Sequence, residues 1–420
     1  MKISWKILAL AALTFSGCGD AGPPGSTNAA ASSGAAGAAS GTPTSTSTTG
    51  GAGGSDSTAS TTGGGGVLND GGDTSDGSRG AGGTAIDGSL LDQAVGRDGG
   101  PALTRMVLFA GGGMGGDGVQ ATQSRVAQPF AVARDPLTGD YYIAEYQGNR
   151  VRRVDPAGII TTVVGQGAAG EAGRTTLNEP HHLIFPPAGG DLFIGDTFNS
   201  RILRLDVKMG AIAPFAANAG FGKTFCLAFD PRGERLYVAD TDNHRVRAVD
   251  LKTSMVTNVA GNGSTGKPMD GAMALQAPLV DPRAIAIDSK GILYILERNG
   301  NALRMVDAQG KIFTIAGTGQ VGNSGDGGDP LAATMNGPKH VATDLEDNVL
   351  ISDTENHVIR KIFVTQKKIV RLAGTGTQGF AGVPGAPTSV QLARPHGAFV
   401  APDGTIFISD SFNNRVLKLE

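Results

Sequence analysis

The chain has 420 residues, of which 66 are glycine and 5% are aromatic, and its formal net charge is −3. A chain so close to neutral lacks the basic balance of nucleic-acid-binding proteins, which excludes RNA and DNA as expected partners. It contains no run of 18 apolar residues, so no transmembrane helix is predicted.

The first 18 residues have the order of a secretory signal. Lys2 and Lys6 come before the apolar run 7–15, which is too short to span a bilayer. The segment ends in Phe-Ser-Gly-Cys at Cys18, which resembles the lipobox of bacterial lipoproteins. That resemblance implies cleavage before Cys18 and lipidation of Cys18, so that the lipid is the sole contact with the membrane. Ordinary secretion with loss of Cys18 is the alternative.

Residues 19–100 are predicted to be a disordered linker. This stretch contains no Phe, Tyr or Trp, and residues 21–55 carry no charge. Such a sequence cannot bury enough apolar surface to offset the entropy of ordering the chain. A Gly/Ala/Ser/Thr-rich spacer would separate an anchored domain 101–420 from the cell envelope. Cys226 is the other cysteine of the chain, so no disulfide is predicted within that domain.

The domain 101–420 contains six copies of one unit, each about 50 residues long. In every copy, two alternating apolar–polar segments flank a turn rich in Asn or Gly, which is the pattern of a β-hairpin. Another apolar run lies before each hairpin and another after it. Four short strands per unit predict an all-β, six-bladed β-propeller. The hairpin segments begin at Tyr141, Leu192, Leu236, Leu293, Val349 and Ile406.

The ends of the chain predict how the ring closes. The sixth unit reaches Glu420 before its fourth strand, whereas an unassigned strand-like segment, 105–110, precedes the first unit. Its Ala-Gly ending has the register of the other fourth strands. We therefore expect the N-terminal segment to complete the sixth blade, which would leave few sheet edges exposed.

The repeated phrases resemble the NHL repeat. Ala-Gly-x-Gly, Pro-x-Gly-x-Ala and hydrophobic-Asp-Thr-x-Asn-His-Arg are its pattern, and the segment from Leu236 is the nearest match. The resemblance extends over residues 104–420. It implies a propeller with a binding surface, but no particular activity.

Several motifs are explained by the repeat itself. The acids Glu145, Asp196, Asp240, Glu297, Asp353 and Asp410 recur at one hairpin position, and we interpret them as structural. Ion pairs are predicted with arginines five residues later, namely Arg150, Arg201, Arg245 and Arg415. Gly-x-Gly-x-x-Gly begins at residues 111, 165, 261, 317 and 374, but the pattern predicts no helix after it, so a dinucleotide site is rejected. His244 and His357 occupy the hairpin turn and are interpreted as structural.

The other four histidines lie at the start of a predicted inner strand, next to the central channel. The residue after the proline that opens this strand, or its equivalent, forms a set of six: Phe130, His181, Phe225, Arg283, Lys339 and His396. Strand alternation predicts that all six point to the channel mouth. The candidate binding residues are His181, His182, Arg283, Lys339, His340 and His396, a cluster suited to an anion or a metal.

Pro180-His181 and Pro395-His396 resemble the zinc-ligand motifs of peptidyl-hydroxyglycine amidating lyases. That family takes one histidine from each of three alternate blades, so the resemblance implies His181 and His396 as metal ligands. The third position is occupied by Arg283. No catalytic residue is assigned, and the expectation is that no cofactor is needed, with zinc or another divalent metal as the alternative.

The sequence therefore predicts a monomeric, non-enzymatic binding module that is anchored by lipid to the bacterial outer membrane or cell surface. A protein or peptide is the expected ligand. The alternative is a metal-dependent lyase or hydrolase whose site lies at the channel mouth.

Overall fold

The computed structural model describes residues 103–167 and 170–420, in which 25 strands form six antiparallel sheets. The described residues do not include the predicted signal segment 1–18 with its lipidation residue Cys18. They also do not include the predicted boundary between linker and domain, at residues 100 and 101. The linker 19–100 lies outside them as well. These assignments therefore stay predictions.

The strands are short and evenly distributed along the chain. In order they are β1 Met106–Gly111, β2 Val119–Gln120, β3 Pro129–Arg134, β4 Tyr141–Glu145, β5 Arg150–Val154, β6 Ile159–Val164, β7 His182–Ile184, β8 Leu192–Asp196, β9 Arg201–Leu205, β10 Ile212–Phe215, β11 Thr224–Phe229, β12 Arg235–Asp240, β13 Arg245–Asp250, β14 Val256–Ala260, β15 Pro282–Ile287, β16 Leu293–Glu297, β17 Ala302–Val306, β18 Ile312–Ala316, β19 His340–Thr343, β20 Val349–Asp353, β21 Val358–Phe363, β22 Lys368–Ala373, β23 Gly397–Val400, β24 Ile406–Asp410 and β25 Arg415–Leu419.

The helical elements are all brief. One α-helix, α1, covers Gly170–Arg174, and 3-10 helices cover Ala121–Gln123, Thr197–Asn199, Thr241–Asn243, Ala274–Gln276, Pro330–Ala332, Thr354–Asn356, Pro387–Ser389 and Ser411–Asn413. Within the described part of the chain, no helix has the length and apolar character needed to cross a membrane.

Each sheet is one blade of a six-bladed propeller, as predicted. Blade 1 contains β3–β6 with β2 added at its outer edge, and blades 2, 3, 4 and 5 contain β7–β10, β11–β14, β15–β18 and β19–β22. Blade 6 contains β23–β25 and β1. The first strands of consecutive blades contact one another all the way round, so β3, β7, β11, β15, β19 and β23 surround a central channel.

The ring closes through the N-terminal strand, which confirms the closure predicted for residues 105–110. β1 pairs with β25 from Met106, opposite Leu419, and the Met106 side chain is fully buried. A second link joins blade 6 to blade 1, because the Ser411 hydroxyl donates a hydrogen bond to the Pro129 carbonyl oxygen at 2.6 Å.

The core lies between neighbouring blades. Successive residues of one strand point to opposite faces of the sheet, so Ala144 packs with Leu192 and Leu203 of blade 2. The preceding residue, Ile143, packs with Phe407 of blade 6. Both faces of each blade are thus covered by apolar side chains, which explains the apolar runs in the sequence.

The repeated acid fixes the hairpin of each blade. In blade 2, Asp196 is fully buried and accepts hydrogen bonds from the Asn178 N–H at 2.7 Å, the Asn199 side-chain amide at 2.8 Å and the Arg201 guanidinium at 2.6 Å. The donated N–H belongs to the loop that leads into the inner strand of the same blade. The equivalent N–H donors in blades 3 to 6 are Gly222, Val280, Asn336 and Ala393.

One predicted ion pair is wrong. The pairs with Arg150, Arg201 and Arg415 are confirmed. Asp240, however, pairs with Arg247 at 3.1 Å, while Arg245 donates to the Asn262 carbonyl oxygen. Residues five and seven positions after the acid lie on the same face of the third strand, so either arginine can reach the carboxylate. Blades 4 and 5 also use the later arginine, Arg304 and Arg360.

The prediction that no helix follows the glycine motifs is wrong at one of them. The motif that begins at Gly165 leads into α1 at its last glycine, Gly170. A helix of five residues offers little alignment of peptide dipoles. Gly165 itself has a φ of 94°, and a Cβ there would lie 2.6 Å from the Asn149 carbonyl oxygen, so glycine is required by the turn.

Candidate functional site

The residues that begin the six inner strands pack together across one end of the channel. We call Phe130, His181, Phe225, Arg283, Lys339 and His396 the mouth ring. Consecutive contacts run from Arg283 through Phe225, His181, Phe130 and His396 to Lys339. Five of the six are buried, and Phe225 is partly exposed. These side chains therefore fill the mouth instead of lining an open bowl.

One half of the mouth ring is aromatic. Phe130 stacks on Tyr146 with ring centroids 4.2 Å apart and on His396 at 3.9 Å, with both pairs of planes within 10°. His181 makes edge-to-face contacts with Phe130 and with Phe225, and the ring centroids are 4.9 Å and 4.7 Å apart. Stacked and edge-to-face pairs of this kind fix ring positions beyond simple burial, so this half is a rigid platform.

The other half is cationic. The Arg283 guanidinium carbon lies 3.4 Å from the Phe225 ring centroid, a close cation–π contact. The Lys339 ammonium lies 3.2 Å from His396 Nε2 and 3.4 Å from a Glu355 carboxylate oxygen. Burial would raise the pKa of Glu355, but Lys339 and Arg394 hold it below its ordinary value. Glu355 is therefore ionised and partly neutralises two cations.

The protonation of His396 follows from its neighbours. Its Nδ1 lies 2.9 Å from the Arg394 carbonyl oxygen and donates to it, which leaves Nε2 as the acceptor for the Lys339 ammonium. Burial, and then the charge of Lys339, lower the pKa of His396 well below its ordinary value. His396 is thus a neutral ring at physiological pH.

A cavity lies below the mouth ring. It has a volume of about 220 Å³ and is lined by the inner strands of all six blades, mostly through Ala, Val, Leu, Ile and Phe side chains. His182, His340 and Thr343 contribute polar side chains to it, and the Nε2 atoms of the two histidines lie 3.3 Å apart. The structure therefore places these two predicted binding residues one layer deeper than the mouth ring.

The zinc site implied by the lyase resemblance does not fit these residues. The Nε2 atom of His396 is occupied by the Lys339 ammonium, and the Phe130 ring packs against both His396 and His181. The third position, Arg283, is a cation and no metal ligand. Zinc at His181 and His396 stays a prediction that the geometry does not favour.

Two functional candidates were missed in the sequence. Phe198 and Phe412 lie in the hairpin turns of blades 2 and 6, flank the mouth ring, and have 41% and 37% of their surface exposed. Phe198 contacts His181 at 5.9 Å between centroids, and Phe412 contacts His396 at 6.1 Å. The signal was present, since the equivalent residues of the other four repeats are polar: Gln147, Asp242, Asn299 and Glu355.

A cation accompanies each of these exposed phenylalanines. The Lys223 ammonium lies 5.4 Å from the Phe198 centroid, and the Arg394 guanidinium carbon lies 4.7 Å from the Phe412 centroid. The face around the mouth ring therefore presents two apolar rings, each beside a cation that is paired with an acid, Asp242 for Lys223 and Glu355 for Arg394. Fold and site together define the class of the protein, a six-bladed propeller with a face of aromatic and cationic side chains at one end of its channel.

Comparison with known proteins shows what the repeat is similar to. The family model of the teneurin NHL domain matches residues 166–323. Teneurin-3 of Mus musculus is 25% identical over 323 residues, which covers 71% of this chain and 10% of teneurin-3. The chain is a β-propeller of six blades that is similar to the NHL domain over the matched residues.

Two further proteins are similar. Peptidyl-glycine alpha-amidating monooxygenase A of Xenopus laevis is 29% identical over 98 residues, covering 23% of this chain and 10% of that protein. An auxiliary nutrient binding protein of Bacteroides thetaiotaomicron has a TM-score of 0.58 at 17% identity, covering 76% of each chain. The chain spans 10% of the length of both teneurin-3 and the Xenopus protein.

Proposed function

We propose that this protein is a non-enzymatic binding module that captures a protein or peptide ligand on the face around the mouth ring. The observation that carries the proposal is the pair of exposed phenylalanines, Phe198 and Phe412, which replace polar residues of the repeat. Exposed aromatic side chains beside cations are the composition typical of binding surfaces, since aromatic residues and arginine dominate interface energetics.

The chemistry of this face favours an acidic segment with apolar or aromatic side chains. Carboxylates of the ligand would share Lys223 with Asp242 and Arg394 with Glu355, and the apolar side chains of the ligand would cover Phe198 and Phe412. The name of the similar Bacteroides protein, an auxiliary nutrient binding protein, supports a binding role of this general kind.

The binding of a labelled Glu/Tyr copolypeptide tests the proposal. The chain is expected to bind it in a salt-sensitive way, and the double variant Phe198→Ser/Phe412→Ser is expected to bind it at least tenfold more weakly. Leu345→Ser is the control, because Leu345 is 52% exposed in a turn at the opposite end of its inner strand. Equal binding by the double variant, or no binding by the wild type, would contradict the proposal.

We further propose that the propeller is exported and held at the bacterial cell envelope by lipid on Cys18, with residues 19–100 as the spacer. The lipobox-like sequence before Cys18 supports this arrangement. Cys18→Ala is expected to move the protein from the membrane fraction to the soluble fraction of the envelope, whereas Cys226→Ala leaves its location unchanged. Membrane retention of Cys18→Ala would refute lipid anchoring.

A metal-dependent lyase or hydrolase is the second candidate. The Pro-His motifs at His181 and His396 and the match to the Xenopus monooxygenase favour it. Two features count against the enzyme. The Lys339 ammonium contacts the Nε2 atom of His396, and Arg283 occupies the position of the third metal ligand. If the protein is such a lyase, it should turn over an α-hydroxyglycine peptide, and the His181→Ala/His396→Ala variant should lose that turnover. The absence of turnover by the wild type would exclude this lyase activity.

A further inference from the structure

Three potential metal ligands meet inside the channel, one layer below the mouth ring. His182 of β7, Cys226 of β11 and His340 of β19 come from blades 2, 3 and 5, and their ligand atoms all lie within 4.8 Å of one another. Among the described residues this is the one group of three or more such side chains at that spacing. It does not include His181 or His396.

The three ligands occupy equivalent positions of the repeat. Each follows a mouth-ring residue directly, and the layer they form consists of Ala131, His182, Cys226, Ala284, His340 and Gly397. Three blades thus contribute a nitrogen or sulfur ligand, and the other three contribute the smallest side chains. Ala and Gly at these positions leave the centre of the layer to the ligating groups.

The distance between the two imidazoles matches a metal site. The Nε2 atoms of His182 and His340 lie 3.3 Å apart. Two nitrogens bound at about 2.0–2.1 Å to one tetrahedral zinc ion are separated by about 3.3 Å. The spacing therefore needs no large movement of either ring for both to reach one ion.

The backbone contacts of the two rings set what an ion would have to change. The Nδ1 atoms of His182 and His340 face the N–H groups of Leu227 and Ala398 at 3.4 Å. Without an ion, one ring can donate its Nε2 proton to the Nε2 atom of the other at 3.3 Å, which leaves one Nδ1 proton facing a backbone N–H. An ion on both Nε2 atoms replaces that hydrogen bond and places both protons on Nδ1, so the two long backbone contacts must lengthen.

Metal binding at this site requires the loss of one proton. Zinc binds neutral imidazole nitrogens and a thiolate sulfur. A divalent ion that binds the Cys226 sulfur therefore displaces the thiol proton to solvent, and the site gains one net positive charge.

We propose that His182, Cys226 and His340 bind one zinc ion, which ties blades 2, 3 and 5 together across the channel. Two imidazoles and a thiolate are ligands that zinc prefers. The fourth coordination position faces the 220 Å³ cavity, because His182 and His340 line it. A water molecule or another small donor would complete the tetrahedron there.

Cobalt(II) titration tests the site, since cobalt takes the place of zinc and reports a bound thiolate by an absorption band. The full chain carries Cys18→Ser, which leaves Cys226 as its only cysteine. The band is expected to saturate at one cobalt per chain and to disappear when zinc is added. Zinc binding at pH 7 is expected to release one proton per ion.

Variants separate this site from the alternatives. Cys226→Ser is expected to abolish the band, and His340→Gln to weaken zinc affinity more than tenfold. His244→Gln, in a hairpin turn, and His181→Ala/His396→Ala are expected to bind as the parent chain does. Circular dichroism and thermal melting check that each variant folds.

The proposal is overturned if the Cys18→Ser chain gives no thiolate band with cobalt. It is also overturned if the double variant of His181 and His396 loses the metal while His340→Gln keeps it. These readouts are independent of peptide capture, so the zinc site and the proposed binding face can fail separately.

Discussion

Two rings of residues surround the channel of the propeller, and they differ in whether the same type of residue recurs in all six blades. The acid ring, formed by the repeated acid of each hairpin, holds a buried carboxylate in all six blades. The mouth ring holds two phenylalanines, two histidines, one arginine and one lysine at six equivalent positions. Both rings lie near the same ends of the strands, so location in the fold does not explain the difference.

The comparison separates folding from function inside a single chain. The acid pairs with an arginine of the next strand in every blade, and in blades 2 to 6 it also joins the hairpin to the loop before the inner strand. A position that differs from blade to blade is not needed for that task. The mouth ring is therefore free to vary, and its buried side chains contact the exposed, repeat-breaking Phe198 and Phe412, which are available for recognition.

The largest expected effect is the loss of an acid. Asp410→Ala leaves the buried Arg415 guanidinium and the Ala393 N–H without their shared acceptor. Breaking a buried pair on one side costs about 3–5 kcal/mol, and we expect this loss in the free energy of unfolding by urea. Glu346→Ala, at an exposed acid, should change it by about 0.5 kcal/mol or less. Similar stability of the two variants would refute the structural role of the acid ring.

A slightly smaller effect is expected at the strand that closes the ring. Met106 is fully buried in β1, whereas Met114 is 83% exposed in the loop that follows. Met106→Ala should lower the free energy of unfolding by about 2–5 kcal/mol because it leaves a cavity between blades. Met114→Ala is the matched control and should be nearly neutral. Equal melting temperatures would show that β1 is dispensable for closure.

The stability of the wild type and of the Asp353→Asn variant should depend differently on pH. Burial raises the pKa of Asp353 to about 6 in the folded protein, from an ordinary value of 3.8. The folded state therefore binds a proton more tightly, so this contribution to stability is present at pH 4 and is lost as pH rises through 6. Relative to Asp353→Asn, the wild type should lose up to about 3 kcal/mol between pH 4 and 7. A difference that is constant with pH would show that Asp353 titrates normally.

The repeat pattern predicted the fold well because the same local alternation of apolar and polar residues occurs in all six repeats. Six blades, closure by the N-terminal strand and three ion pairs are confirmed. The choice between Arg245 and Arg247 was not predictable, since both lie on one face of their strand and side-chain reach decides between them.

Contacts between blades were harder to predict. The meeting of His182, Cys226 and His340 depends on the register of three strands that are far apart in sequence, and alternation within one strand does not determine it. Phe198 and Phe412 were missed for a different reason, because the hairpin turn was interpreted as structural throughout.

The most direct test compares two residues of the same hairpin, Asp196 and Phe198. The measurement is urea unfolding of Asp196→Ala and Phe198→Ser, together with binding of the labelled Glu/Tyr copolypeptide at a concentration of urea where each is folded. Asp196→Ala is expected to lose about 1–3 kcal/mol of stability, because the Asn178 N–H loses its acceptor while Arg201, which is 35% exposed, can turn to water, and to keep its binding when folded. Phe198→Ser is expected to lose about 1 kcal/mol, because its ring is 41% exposed, and to bind more weakly. If Asp196→Ala loses binding while folded, or Phe198→Ser binds as the wild type does, the division between structural and recognition residues is wrong.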